Sequence, residues 1–196
     1  MKKIMFNDKY GLTQAVLEGR KTMTRRVIHA ENIPDDPEYG YAPNIDACCV
    51  FNEDDVVAKS QYNLGEVVAI AQSYETLANS GYLDKMMDGP LSMKKEYAGA
   101  GYKNKIFVKA KLMPHHIKIT SIRVERLQDI SDEDGIKEGV KRYADTFGIK
   151  EYARVPILKI FFSPREAFAA LIDKVSGKGT WDSNPMVWMY VFELLD

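Results

Sequence analysis

The stretch "LEGRKTMTRRVI", Leu17 to Ile28, carries the decision about the fold. It ends one kind of element and begins another. Just upstream, "YGLTQAVLEG" sets Leu12, Ala15 and Val16 on one face at helical spacing, and Gly19 is a suitable stop. "KTMTRRVI" then reads as an extended run closing on β-branched residues. The same stretch gathers Arg20, Lys21, Arg25 and Arg26 around two threonines, Thr22 and Thr24, with Glu18 as its only acid. Three readings of that cluster stand side by side: a solvated strand edge whose charges discourage aggregation, a phosphate-binding edge, or a hydroxyl activated by a neighbouring base.

Further along, the elements do not alternate regularly. "KIMF" (3–6) reads as a short strand, and "LGEVVAIAQSY" (64–74) as a turn and a buried strand. "KIFVKAKLM" (105–113) and "HIKITSIRVERLQDI" (116–130) are strand-like. "SDEDGIKEGVKRY" (131–143) begins a helix: Ser131 is a good N-cap, and Asp132, Glu133 and Asp134 favour the first turn. "SPREAFAALIDKVSG" (163–177) is the clearest helix, with Ser163 as cap, Pro164 at the first position and Phe168, Leu171, Ile172 and Val175 as its apolar stripe. "PMVWMYVFELL" (185–195) is a long apolar strand. Three short helices among irregularly ordered strands indicate an α+β fold in a single domain, with a small mixed β-barrel and flanking helices as the favoured architecture. Residues 31–60, 79–102 and 142–162 read as insertions; the first, with three prolines in "ENIPDDPEYGYAPN", is predicted to be irregular surface.

Composition narrows the function. The 27 basic and 28 acidic residues nearly cancel, so any nucleic-acid binding must be local rather than through bulk charge. Hydrophobic residues at 45% of 196 suffice for a sizeable core. The cysteines, Cys48 and Cys49, are adjacent and poorly placed to bridge, which suggests a reducing compartment. Three histidines without a CxxC point away from zinc. No signal peptide and no run long enough to span a bilayer is read, so a cytoplasmic protein needing no cofactor or metal is expected.

Three stretches in order, "LEGRKTMTRRVI", "VERLQDISDEDGIKEGV" and "WDSNPMVWMYVFELL", resemble ASCH-domain proteins of the PUA-like superfamily, particularly those of phage and prophage genomes. The likeness covers roughly residues 3–28, 62–76, 105–140 and 163–196. It implies a small barrel built around a cleft, and RNA or modified nucleosides as ligands. One similar bacterial enzyme is an amidohydrolase that removes acetyl from N-acetylcytidine, and its lysine, threonine and glutamate fall on Lys21, Thr24 and Glu138. The chain departs from the phage-type pattern at Ala71, Gln72 and Tyr74, where arginine, glutamate and tryptophan are usual, at His115 for arginine, and at Met186 for tryptophan.

These residues have chemistry of their own. Lys21 and Thr24 are three apart, so a turn or strand entry is needed to bring them together. A threonine hydroxyl becomes a nucleophile only when a base takes its proton. Lysine serves as that base if its pKa is depressed; as a cation it stabilises charge, leaving Glu138 as the base. Glu138 lies about 200° round the predicted helix from Ile136, a position that also suits an exposed pair with Arg142 at i+4. Arg20, Arg25, Arg26, Tyr74, His115 and Trp181 are the candidate ligand contacts, the aromatics by stacking. About four cations on the phosphates of a single strand would give a salt slope near −3. Three functions follow: an RNA- or nucleotide-binding module, a metal-free amidohydrolase acting on an acylated nucleoside, and an interaction protein whose insertions take a protein partner beside a vestigial cleft.

Overall fold

A computed structural model describes residues 1–83, 99–146, 149–154 and 157–195, without side-chain detail over 142–160. The fold is α+β, and the chain divides into two compact units. The first comprises Met1–Phe6, Val67–Lys118 and Leu194–Asp196, the second Asn7–Glu66 and Ile119–Glu193.

In the first unit, β1 (Lys3–Ile4) runs parallel to β6 (Val67–Ile70), with Lys3 opposite Ala69. β6 pairs antiparallel with the first residues of β7 (His116–Arg126). Helix α2 (Tyr74–Asn79) is capped by Ser73, whose hydroxyl accepts from the Thr76 amide. The predicted strand over 105–113 is instead two 3-10 turns, Lys105–Phe107 and Ala110–Leu112. Among the described residues no strand pairs with it; the Tyr74 hydroxyl accepts from the Lys109 amide and Lys3 Nζ donates to the Val108 carbonyl. Ala69, Ala71, Tyr74, Leu77, Leu83, Val108 and Met113 form this unit's core.

The second unit opens with α1 (Leu12–Leu17), which buries Leu12, Ala15 and Val16 and ends at Gly19 with φ of 70°. The left-handed turn there turns the chain into β2 (Met23–Val27). β2 pairs antiparallel with β11 (Met186–Leu194), and β11 neighbours β7. Segment 31–60 is not irregular: β3 (Glu38–Ala42), β4 (Ala47–Asn52) and β5 (Asp55–Lys59) form an antiparallel meander. Its prolines fall outside the strands, and Asp46 and Glu53 take positive φ at the two turns, so acid-rich turn chemistry surrounds regular strands. Segment 141–161, ambiguous in sequence, forms a second meander of β8 (Lys141–Thr146), β9 (Ile149–Arg154) and β10 (Ile157–Phe161).

Two helices complete this unit. α3 (Asp132–Lys137) is capped by Ser131 and α4 (Pro164–Val175) by Ser163, whose side chains accept from the amides of Asp134 and Glu166. The two helices meet closely, because a Cβ on Gly135 would lie 3.0 Å from Pro164. Phe168 and Ile172 of α4 pack with Leu127, Ile130, Val140 and Val187. Each described sheet is an open strand order. No helix among the described residues is long and apolar enough to cross a membrane.

Candidate ligand site in the second unit

β2 has two differently furnished faces, and the register with β11 sorts them. Directly opposed residues in an antiparallel pair share a face, and successive residues alternate. Thr24 lies opposite Tyr190 and Arg26 opposite Trp188, so these four share one face. Met23 opposite Val191 and Arg25 opposite Met189 occupy the other.

On the Arg25 face lies a buried ion network. Lys21, just before the strand, is held by paired amides: those of Arg20 and Lys21 both donate to the Ala15 carbonyl at 2.9 Å. Its ammonium donates to the Glu138 carboxylate at 2.6 Å, to the Glu138 carbonyl at 2.9 Å and to the Met23 carbonyl at 2.7 Å. The other Glu138 oxygen accepts from Arg25 at 3.2 Å. Arg25 also reaches Glu125 at 2.7 Å and Asp134 at 2.9 Å. Burial pushes the Lys21 ammonium below its ordinary range, against the opposing pull of Glu138. For Arg25 burial acts in the same direction, but Glu138 and Glu125 outweigh it and hold the guanidinium more firmly charged.

Glu138 reaches this position because α3 stops one residue earlier. It is the C-cap, and Gly139 at φ of 98° turns the chain away. The continuous helix predicted over 131–143 would have buried Ile136 and exposed Glu138. Instead Ile136 is 46% exposed and Glu138 3% exposed. The stretch beyond it, from Lys141, is strand.

The Thr24 face opens onto a pocket of about 400 Å³ lined by residues of β2, β5 and β11, among them Arg26, His29, Lys59, Gln61, Trp188 and Tyr190. No carboxylate is among the lining residues. The Tyr190 hydroxyl accepts from the Gln61 amide at 3.1 Å, and the Tyr62 ring packs edge-on to it with centroids 5.3 Å apart. Burial lifts both phenols to about 12. They therefore stay neutral at any physiological pH.

The remaining candidates are dispersed. Arg20 is exposed and pairs with Glu18 at 2.5 Å. Arg25 faces carboxylates from three directions, so it holds Glu138 in place and does not present its charge to solvent. Tyr74 is 3% exposed within the first unit's core, which leaves no open ring face for a base. His115, also in the first unit, is half-buried, and its carbonyl accepts from the Ile70 amide. Trp181 is half-buried against Phe168, with the Arg165 guanidinium 4.9 Å from its ring centroid. Of the three residues matched to the amidohydrolase, Lys21 and Glu138 meet. Thr24, 5% exposed, lies on the opposite face of β2 from Arg25.

Sequence reasoning missed Lys59, Gln61 and His29. The first two lie in or next to the segment read as an irregular insertion, so the strand that presents them was not in view. Among the described residues no group of three or more His, Cys, Asp or Glu side chains is placed to hold a metal. Compared with protein-family models, curated proteins and solved structures, the chain finds no match in any of the three.

Proposed function

We propose that the second unit binds RNA or a nucleotide in the pocket between β2, β5 and β11. The observation that carries this reading is the lining: Arg26, Lys59 and His29 with aromatic Trp188 and Tyr190, and no carboxylate. Such a surface attracts an anion, and the buried Trp188 and Tyr190 form its floor. The resemblance to ASCH domains supports it, and with it the finer expectations of a PUA-like barrel and a cytoplasmic location. The test is fluorescence anisotropy of labelled single-stranded RNA against salt. Binding that weakens as salt rises, and that Arg26→Gln reduces at least several-fold, supports the reading; a flat salt dependence or no binding overturns it.

A second reading, hydrolysis of an acylated nucleoside, is favoured by the meeting of Lys21 and Glu138. In that reading water attacks the amide carbonyl, Glu138 takes its proton and passes it to the leaving amine, and Lys21 stabilises the oxyanion. Burial of both groups means that substrate must open a path to them. Acetate release from N-acetylcytidine is the expected result. No turnover across several acylated nucleosides removes it.

A further inference from the structure

Two cationic side chains, Arg26 and Lys59, line one pocket, and each comes from a place where its backbone is fixed. Arg26 is set by its register opposite Trp188. Lys59 ends β5, where it pairs with Cys49 of β4. The residues after Lys59 are held from two sides. The Ser60 amide donates to the Cys48 carbonyl at 2.7 Å, the Cys48 amide donates back to the Ser60 hydroxyl at 3.2 Å, and the Gln61 amide donates to the Tyr190 hydroxyl. The wall carrying Lys59 is thus built onto the floor of the pocket, although it belongs to the segment outside the ASCH resemblance.

The cations of this unit differ in what they face. Arg25 and Lys21 are enclosed by carboxylates, and Arg20 lies against Glu18. Lys59 is exposed and forms no ion pair with a carboxylate among the described residues. The positive charge of Lys59, in a concave site whose lining includes no carboxylate, selects a ligand that brings its own negative charge. A neutral nucleoside brings none. From this, and resting on the nucleotide-binding reading above, we infer that Lys59 and Arg26 hold a phosphate, so the ligand is a nucleoside 5′-monophosphate or the 5′-phosphorylated end of an RNA strand. The meander β3–β5 is then a specificity element that supplies the phosphate contact, and the exposed Gln61 beside it is left to meet the base. The pocket volume of about 400 Å³ fits one nucleotide.

Calorimetric titration of the full chain tests this with the four ribonucleosides, their 5′-monophosphates, and a short single-stranded RNA carrying either a 5′-hydroxyl or a 5′-phosphate. The phosphorylated member of each pair should bind about tenfold tighter or more, the factor expected of one charge-assisted contact. Lys59→Gln should cut that preference several-fold, with Arg26 keeping the remainder, whereas Lys59→Arg should retain most of it. Thermal melting of Lys59→Gln should match the parent, because the side chain is exposed. A preference confined to monophosphates assigns the free nucleotide, and one confined to the oligomer assigns the strand end; either supports the inference. RNA binding that ignores the 5′-phosphate, or a preference that Lys59→Gln leaves undiminished, overturns the inference and leaves the binding reading intact. No binding by any of these ligands overturns both.

Discussion

Lys21 and Glu138 are 117 residues apart in the chain and 2.6 Å apart in space, both almost fully withdrawn from solvent. Neither would be stable there alone, since a lone buried charge costs several kcal/mol. The Glu138 carboxylate is shared, one oxygen to Lys21 and the other to Arg25, so two cations depend on one acid.

That dependence predicts an asymmetry. Glu138→Gln should destabilise the protein by roughly 3–5 kcal/mol, because it removes the carboxylate from the buried Lys21 ammonium. Glu125→Gln should cost less, since Arg25 keeps Asp134 and Glu138. Urea unfolding of both variants measures the difference; equal losses would mean that the network is not organised around Glu138.

The position of Glu138 in turn rests on the seating of α3. Gly135→Ala places a methyl group 3.0 Å from Pro164 backbone and side-chain atoms, where neither helix can give way freely. A loss of about 1–3 kcal/mol is expected, as for overpacking elsewhere. The melting temperature should fall, while an alanine at Gly40, where a Cβ meets nothing within 4 Å, should leave it nearly unchanged.

Tyr190 links the pocket floor to its wall. Tyr190→Phe removes the acceptor of the Gln61 amide and should cost about 1 kcal/mol in stability. Its larger effect should be on ligand: the Lys59 wall loses a fixed point, and nucleotide affinity should drop several-fold. Calorimetry beside thermal melting separates the two effects.

The same phenols set an alkaline limit. Tyr62 and Tyr190 titrate near 12 in the folded chain, against about 10 when unfolded. Between these values the unfolded chain has lost protons that the folded chain keeps, so stability is complete below about pH 10 and falls as pH rises toward 12. Each phenol contributes up to roughly 2–3 kcal/mol to that fall. Tyr62 and Tyr190 should ionise late, and with unfolding, when absorbance at 295 nm is followed against pH. Early, fully reversible ionisation of all tyrosines would contradict the burial.

Salt dependence should be shallower than the sequence suggests. With Arg25 enclosed by carboxylates and Arg20 beside Glu18, Arg26 and Lys59 are the principal phosphate contacts, and two such contacts on a single strand give a slope near −1.4. Lys59→Gln should lower its magnitude by about 0.7. A slope near −3 would place the exposed Arg20, or other cations, on the nucleic acid.

Much of the fold was legible because it is written locally. Ser131 and Ser163 cap the helices expected of them, Gly19 ends α1, and Met186–Leu194 is a strand, since caps, left-handed glycines and apolar runs act within a few residues. The errors arose where partners are remote. The 105–113 segment has strand-like residues, but its backbone is satisfied by turns and by the side chains of Tyr74 and Lys3. The 31–60 segment has the composition of a loop, but its turn-forming residues are concentrated between strands that pair with each other.

The candidate site divides the same way. The sequence by itself determined that Arg20, Lys21, Arg25 and Arg26 leave one turn together and that a glutamate follows the capped helix at Ser131. Which of those cations is neutralised and which lines a pocket was decided by tertiary structure: by strand alternation and the β2–β11 register, and by a helix ending one residue before Glu138. The physical reason is range. Chain chemistry fixes backbone conformation over a few residues, whereas the charge that a side chain meets depends on residues brought from up to 117 positions away.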